Sequence, residues 1–297
     1  MTPRELAGAL LVVGFSGTSL AAATERALRA GERAGIIVFK RNLPDVASLL
    51  SLAAEARRAA AAAGDTVPLV AIDEEGGRVS RLPPPERKLP PMRHVGAIGD
   101  ETLARRAGLA VGARLASFGV NLDFAPILDV DSNPKNPIIG DRAFSSDPVA
   151  CATLALAFAQ GLERGGVLPC GKHFPGHGDT DKDSHVDLPV LSHDRARLDA
   201  IELLPFRRAA AANLAMIMSA HIVVRSIDGD VPATLSRALM TDLLRGELGF
   251  RGVLVSDDLE MRAVADRYPI ETSSVQAIAA GCDLLLVCSD EDLAGEA

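Results

Sequence analysis

Along the whole of this 297-residue chain, short apolar runs alternate with longer stretches rich in Ala, Leu and Arg at helical spacing. The runs are Leu10–Phe15, Gly35–Phe39, Leu69–Ile72, Val120–Phe124, Val167–Lys172, Ala215–Ser219, Gly252–Ser256 and Asp283–Val287, eight in all. Between them lie helix candidates over Ala21–Ala34, Val46–Ala63, Thr102–Phe118, Ala150–Arg164, Asp194–Ala212, Arg237–Glu247 and Ile270–Ala280. Ser192 and Ser236 are placed to cap two of these helices, and Pro148 suits a first helical turn. Strands alternating with helices predict parallel pairing with the helices outside. Eight such units predict an α/β fold, a (β/α)₈ TIM-type barrel of one domain over 1–297. Only eight residues, Asp290–Ala297, follow the last strand candidate and its two flanking residues, so the closing C-terminal helix is expected to be short or missing. An open, doubly wound sheet is the competing arrangement. Gly14-Phe-Ser-Gly17 is no GxGxxG and no P-loop motif occurs, which lowers any nucleotide-binding reading.

Polar residues stand where a barrel would gather them. Asp73 ends the third run, Asp123 lies late in the fourth, Lys172 and His173 end the fifth, His221 follows the sixth and Asp257 ends the seventh. In a barrel all of these positions meet on the C-terminal rim, where barrel enzymes carry their chemistry.

Composition narrows the function classes. A hydrophobic content of 48% supports a sizeable core, and a net charge of −8 with no Lys/Arg-rich run argues against nucleic acid as a partner. Aromatics amount to nine Phe, one Tyr and no Trp, which weakens any model that needs a long aromatic platform for a polysaccharide. Cys151, Cys170, Cys282 and Cys288 form no CxxC pair and read as free thiols. The start of the chain lacks the basic flank and cleavage pattern of a signal peptide, and no apolar stretch reaches the length of a membrane span. A cytoplasmic protein without a membrane partner is expected.

The densest chemistry lies in Lys172–Pro189, which holds His173, His177, His185 and the aspartates 179, 181, 183 and 187. Gly176, Gly178 and two prolines exclude a long helix or a central strand, so this is a loop rich in proton-transfer groups. Gly252–Met261 runs an apolar strand straight into Asp257 and Asp258. Asp257 suits a nucleophile, a metal ligand or a helix cap, and Asp258 suits a cap as well. Glycoside hydrolysis needs a carboxylate on one face of the sugar and a proton donor on the other. Asp257 can supply the first and His185 the second, with Asp183 fixing the imidazole tautomer. A metal site built on His173 and His177 is the rival, but Pro175 and Gly176 break the helix that such ligand spacing usually uses. No metal and no cofactor are expected. A noncatalytic sugar-binding protein is the other class to keep.

Ile72–Val79, Asn121–Pro126, Gly140–Phe144, Lys172–Pro189 and Ser256–Met261 together resemble glycoside hydrolase family 3, in particular its bacterial single-domain β-N-acetylhexosaminidases of cell-wall recycling. The resemblance implies a retaining mechanism with Asp257 as nucleophile and His185, paired with Asp183, as general acid/base. It implies substrate binding by Asp73, Arg81, Arg142, Lys172, His173 and His177, with Asp123 binding substrate or buttressing Lys172. The implied substrate is a terminal, nonreducing β-linked N-acetylglucosamine, and the implied source is peptidoglycan muropeptides. A β-glucosidase, an N-acetylglucosaminide phosphorylase and a noncatalytic sugar-binding barrel are the alternatives. Gly176 and Gly178, ahead of the His185–Asp183 pair, suggest a loop that closes over substrate.

Overall fold

A computed structural model describes residues 2–64, 67–181, 184 and 187–297. Eight parallel strands close into a barrel: β1 (Leu11–Val13), β2 (Gly35–Ile37), β3 (Leu69–Ile72), β4 (Leu122–Asp123), β5 (Leu168–Phe174), β6 (Met216–Ser219), β7 (Val253–Asp258) and β8 (Leu284–Val287). Each pairs with its sequence neighbours, and β8 returns to β1 with Leu11 opposite Leu285 and Val13 opposite Val287. The eight expected runs are therefore the eight staves, and the open sheet is excluded.

Strand alternation divides the apolar residues into two cores. Val12, Ile37, Ala71, Leu122, Cys170, Met216, Met218, Val255 and Leu286 point inward and fill the barrel. Their neighbours Leu11, Val13, Ile36, Val70, Ile72, Ile217, Leu254 and Leu285 point outward and pack beneath the helices. Fully burying one such aliphatic side chain is worth roughly 1.5–3 kcal/mol, so both layers hold the strand ends that carry the polar groups. On the outside, the helices Glu101–Ser117 and Pro148–Arg164 approach so closely that a Cβ at Gly108 would lie 2.0 Å from the Phe158 carbonyl oxygen.

Two local expectations change. The single helix expected over Asp194–Ala212 is two, Arg195–Ala200 and Leu204–Ala211, because Pro205 has no N–H to continue a helix and opens a new one instead. The first of them is capped by Asp194, whose carboxylate accepts the Arg197 N–H at 2.8 Å, and not by Ser192. Ser236 does accept the Leu239 N–H, at 3.2 Å. After β8 there is only the four-residue helix Leu293–Glu296, matching the short closing element expected. All four cysteines are free and buried. Among the described residues, no helix is long and apolar enough to cross a membrane.

Candidate active site

A cavity of about 200 Å³ opens at the C-terminal rim. Its floor is the inward layer of Ile37, Phe124, Met218 and Leu286, and its walls are the polar strand ends. Asp73, Arg81, Arg142, Lys172, His173, His177 and Asp257 all line it, so the ends of β3, β5 and β7 and three connecting segments converge as a barrel requires. Asp183 and His185 lie outside the described residues. Ser184, between them, lines the same cavity.

The β3 end shows how the sequence builds this wall. Asp73-Glu74-Glu75 continues in extended form into a hairpin of Glu74–Gly76 with Val79–Ser80. Alternation sends Asp73 and Glu75 to the cavity and Glu74 away from it. Buried Glu74 ties the hairpin by accepting from the Ser80 hydroxyl (2.7 Å) and the Arg81 N–H (2.9 Å). Asp123 is fully buried, accepts the Glu74 N–H at 2.9 Å and lines no part of the cavity. It supports the hairpin. Burial and the neighbouring Glu74 charge raise its pKa well above the usual carboxylate range despite that hydrogen bond.

The cavity wall is a chain of alternating charge. Arg81 meets Asp73 at 3.2 Å, Asp73 meets Lys172 Nζ at 2.8 Å, and Lys172 meets Glu75 at 2.7 Å. Glu75 in turn grips Arg142 with two bonds of 2.9 Å. Burial would raise the pKa values of Asp73 and Glu75, but the cations around them win: Asp73 falls far below its ordinary value and Glu75 to about 2. Burial would lower Lys172, yet the two carboxylates hold it above its ordinary value. Asp73, Glu75 and Lys172 are therefore charged at neutral pH.

The two histidines of β5 and its loop differ. His173 Nδ1 bonds buried Asp129 Oδ2 at 2.7 Å, and Asp129 also accepts the His177 backbone N–H at 2.7 Å. The ring is thus oriented by a carboxylate while its other edge faces the cavity. Both ring nitrogens of His177 are taken within the loop, by Thr180 Oγ1 (2.6 Å) and Ser184 Oγ (3.2 Å). Burial and the adjacent His173 lower its pKa to about 4, so it is a neutral brace at neutral pH. Gly176 and Gly178 have packing reasons: a Cβ on Gly176 would meet Glu202 at 2.9 Å, and one on Gly178 would meet the Val130 carbonyl oxygen at 1.7 Å.

On β7, Asp257 is partly exposed at the cavity and accepts the Asp258 N–H at 2.9 Å. Asp258 also lines the cavity. It accepts the Glu260 and Cys288 N–H groups, at 3.1 and 3.2 Å, and burial together with the Glu260 charge raises it to about 7. His221 supports this strand end by donating from Nε2 to the Asp258 carbonyl at 2.8 Å. Among the described residues, one group fits a metal ion by composition: Asp179, His193 and Glu202 bring ligand atoms within 4.8 Å of one another. Arg197 already bridges its two carboxylates, at 3.4 and 3.1 Å.

Glu75 and Asp129 are the site residues that sequence reading missed. The first was legible, since it shares the strand face of Asp73; the second ends the apolar run Ala125–Leu128, a weaker signal.

A closed barrel whose rim cavity is lined by a strand-end carboxylate and a set of paired charges has the groups that glycoside hydrolysis calls for. Residues 4–294 match the glycosyl hydrolase family 3 N-terminal domain, and the chain belongs to that family. It is 39% identical over 292 residues to a beta-hexosaminidase of Nitrosospira multiformis, covering 96% of this chain and 81% of the relative. Among solved structures it resembles a family 3 β-N-acetylglucosaminidase of Paenibacillus, with a TM-score of 0.96 and 39% identity over the whole of this chain. The chain spans only 56% of that longer protein. It also resembles NagZ of Neisseria gonorrhoeae in complex with N-trifluoroacetyl-D-glucosamine, with a TM-score of 0.86, 36% identity and coverage of 96% of this chain and 83% of that one.

Proposed function

We propose that this family 3 hydrolase removes terminal, nonreducing β-linked N-acetylglucosamine with retention of configuration, acting in the cytoplasm on fragments of peptidoglycan. The observation that carries the reading is that Asp257 lines the same cavity as Asp73, Lys172 and Arg142. Asp73 accepts from sugar hydroxyls, and Arg81, Lys172, Arg142 and the outer edge of His173 donate to them. His177 braces the loop. Asp257 attacks the anomeric carbon as the glycosidic bond breaks, and His185, oriented by Asp183, gives its proton to the leaving oxygen. The same imidazole then deprotonates the water that releases the sugar from Asp257. The curated relatives named beta-hexosaminidase support the choice of sugar.

The test is release from paired aryl β-glycosides, N-acetylglucosaminide against glucoside, with and without phosphate and with a chelator present. Fast, chelator-insensitive release from the N-acetylglucosaminide alone, without phosphate, is expected. A phosphate requirement with sugar 1-phosphate as product redirects the reading to phosphorolysis. Release from neither leaves a binding role.

A further inference from the structure

Of the five charges in the cavity wall, Glu75 lies deepest, its side chain 2% exposed against 13% for Asp73. Its Oε1 takes Lys172 Nζ at 2.7 Å and Arg142 Nη2 at 2.9 Å, and its Oε2 takes Arg142 Nε at 2.9 Å. A carboxylate already holding the Arg142 fork and the Lys172 ammonium is poorly placed to recognise a hydroxyl itself. Its effect on Lys172 is geometric. An ammonium has three N–H bonds in tetrahedral directions. Asp73 accepts one of them at 2.8 Å, and Glu75 stands against the ammonium as an ion pair at 2.7 Å, so the position of the ammonium is set by where those two carboxylates stand. On the other side Glu75 locks the Arg142 fork through two parallel bonds, while Nη1 reaches the Ile138 carbonyl at 3.2 Å.

We propose that Glu75 is a positioning residue for glycoside recognition, which with Asp73 holds the Lys172 ammonium at the cavity wall and holds the Arg142 fork beside it. The kinetic part of this inference rests on the glycosidase reading; the placement of Lys172 does not. A merely structural ion pair would change stability on removal and leave the ligand-facing donors as they were. A positioning role changes the charge state and the aim of Lys172. The groups facing Lys172 are Asp73 and Glu75 from the hairpin segment, Arg142 from the Gly140–Arg142 turn and Asp123 on β4. Replacing Glu75 by Gln leaves Arg142 without its carboxylate partner and Lys172 with Asp73 as its one paired carboxylate, so the buried ammonium loses its proton more easily.

The decisive variant is Glu75→Gln, assayed in the full chain on an aryl N-acetyl-β-glucosaminide. KM is expected to rise about tenfold or more. The chain has five lysines, few enough for NMR of ¹³C-labelled lysine to follow Lys172 without any substrate, and its titration is expected to fall below that of wild type. A folded Glu75→Gln protein with wild-type KM and Lys172 titration overturns the proposal. If that variant does not fold, Glu75→Asp decides: it keeps the charge but shortens the reach. KM raised about fivefold or more is expected; wild-type KM in folded Glu75→Asp overturns the proposal. Should the wild-type protein cleave no glycoside, the lysine titration still tests the placement of Lys172, which separates failure of this inference from failure of the activity.

Discussion

The barrel has a cavity near each end, and the larger one is not the candidate site. At the base, about 590 Å³ lies between Leu28, Ala34, Ala60, Ala63, Pro68 and Leu69, with Arg29 and Arg33 at its edge. At the rim, about 200 Å³ holds the alternating charges, His173 and Asp257. The base arginines are engaged in the wall: Arg29 bonds Glu25 on its own helix, and Arg33 bonds the Glu32 and Ala294 carbonyls. The rim charges are paired with one another yet face the cavity. The difference teaches that convergence of polar groups, and not volume, marks a site. Parallel strands supply the asymmetry, because all eight C-terminal ends arrive on one face.

The largest effect expected at the rim is from Asp257→Ala. With no carboxylate to capture the anomeric carbon, kcat should fall by about 10³-fold or more while the melting temperature stays within a few degrees of wild type. Activity near wild type would remove Asp257 as nucleophile and weaken the contrast between the two ends. Asp129→Asn comes next. It keeps the shape but exchanges an acceptor for a donor at one of the atoms facing His173 Nδ1 and two backbone N–H groups. A loss of roughly 10- to 100-fold in kcat/KM is expected, the range typical when a supporting partner of a functional imidazole is removed. Steady-state kinetics with a parallel thermal melt separates that loss from unfolding.

A smaller and pH-dependent effect belongs to Asp258. Its folded pKa of about 7 lies above the ordinary value of 3.8, so the folded chain binds this proton more tightly than the unfolded one. The stabilising contribution is present in full below the unfolded pKa and is lost as pH rises toward and through 7. His177 works the other way: a folded pKa of about 4 against 6.5 makes its contribution grow from pH 4 to 6.5. Wild type alone therefore mixes the two. Comparing Asp258→Asn with wild type isolates Asp258: the variant's melting temperature, relative to wild type, should rise between pH 5 and 8. A flat difference across that range would mean that Asp258 titrates as an ordinary carboxyl.

Much of this contrast was legible before any coordinates. The eight apolar runs became the eight staves because each is only four to six residues long, too short for a helix. The rim residues at strand ends were readable because a closed parallel sheet has no other place to put them. Helix ends were less so: Pro205 divides a segment whose Ala/Leu/Arg pattern runs on unbroken, and Asp194 outcompetes Ser192 as a cap for reasons of local geometry. Asp129 was missed because its task depends on a fold-made contact with residue 173, 44 positions away. The division of labour between His173 and His177 was equally hidden. Four residues apart in one loop, they look alike until Asp129 is seen to orient one and Thr180 with Ser184 to engage both nitrogens of the other.

The smallest expected effect lies at the base and bears on the comparison from the other side. Arg33→Ala removes two hydrogen bonds, to the Glu32 and Ala294 carbonyls, and with them a tie between the β1–β2 connection and the final short helix. Each such bond is worth about 0.5–1.5 kcal/mol net, less where water can replace it, so a loss of roughly 1 kcal/mol in stability is expected. Because the side chain is enclosed enough for burial to lower its pKa despite the Glu32 charge, part of that loss is offset by no longer desolvating a cation. The substitution also enlarges a cavity that already exceeds the rim cavity in volume. If size governed function, kcat/KM would change; if convergent charge does, it should stay within about twofold of wild type while the denaturation midpoint falls. A kinetic change as large as that of Asp129→Asn, without a comparable loss of stability, would show that the base communicates with the rim through the strands between them.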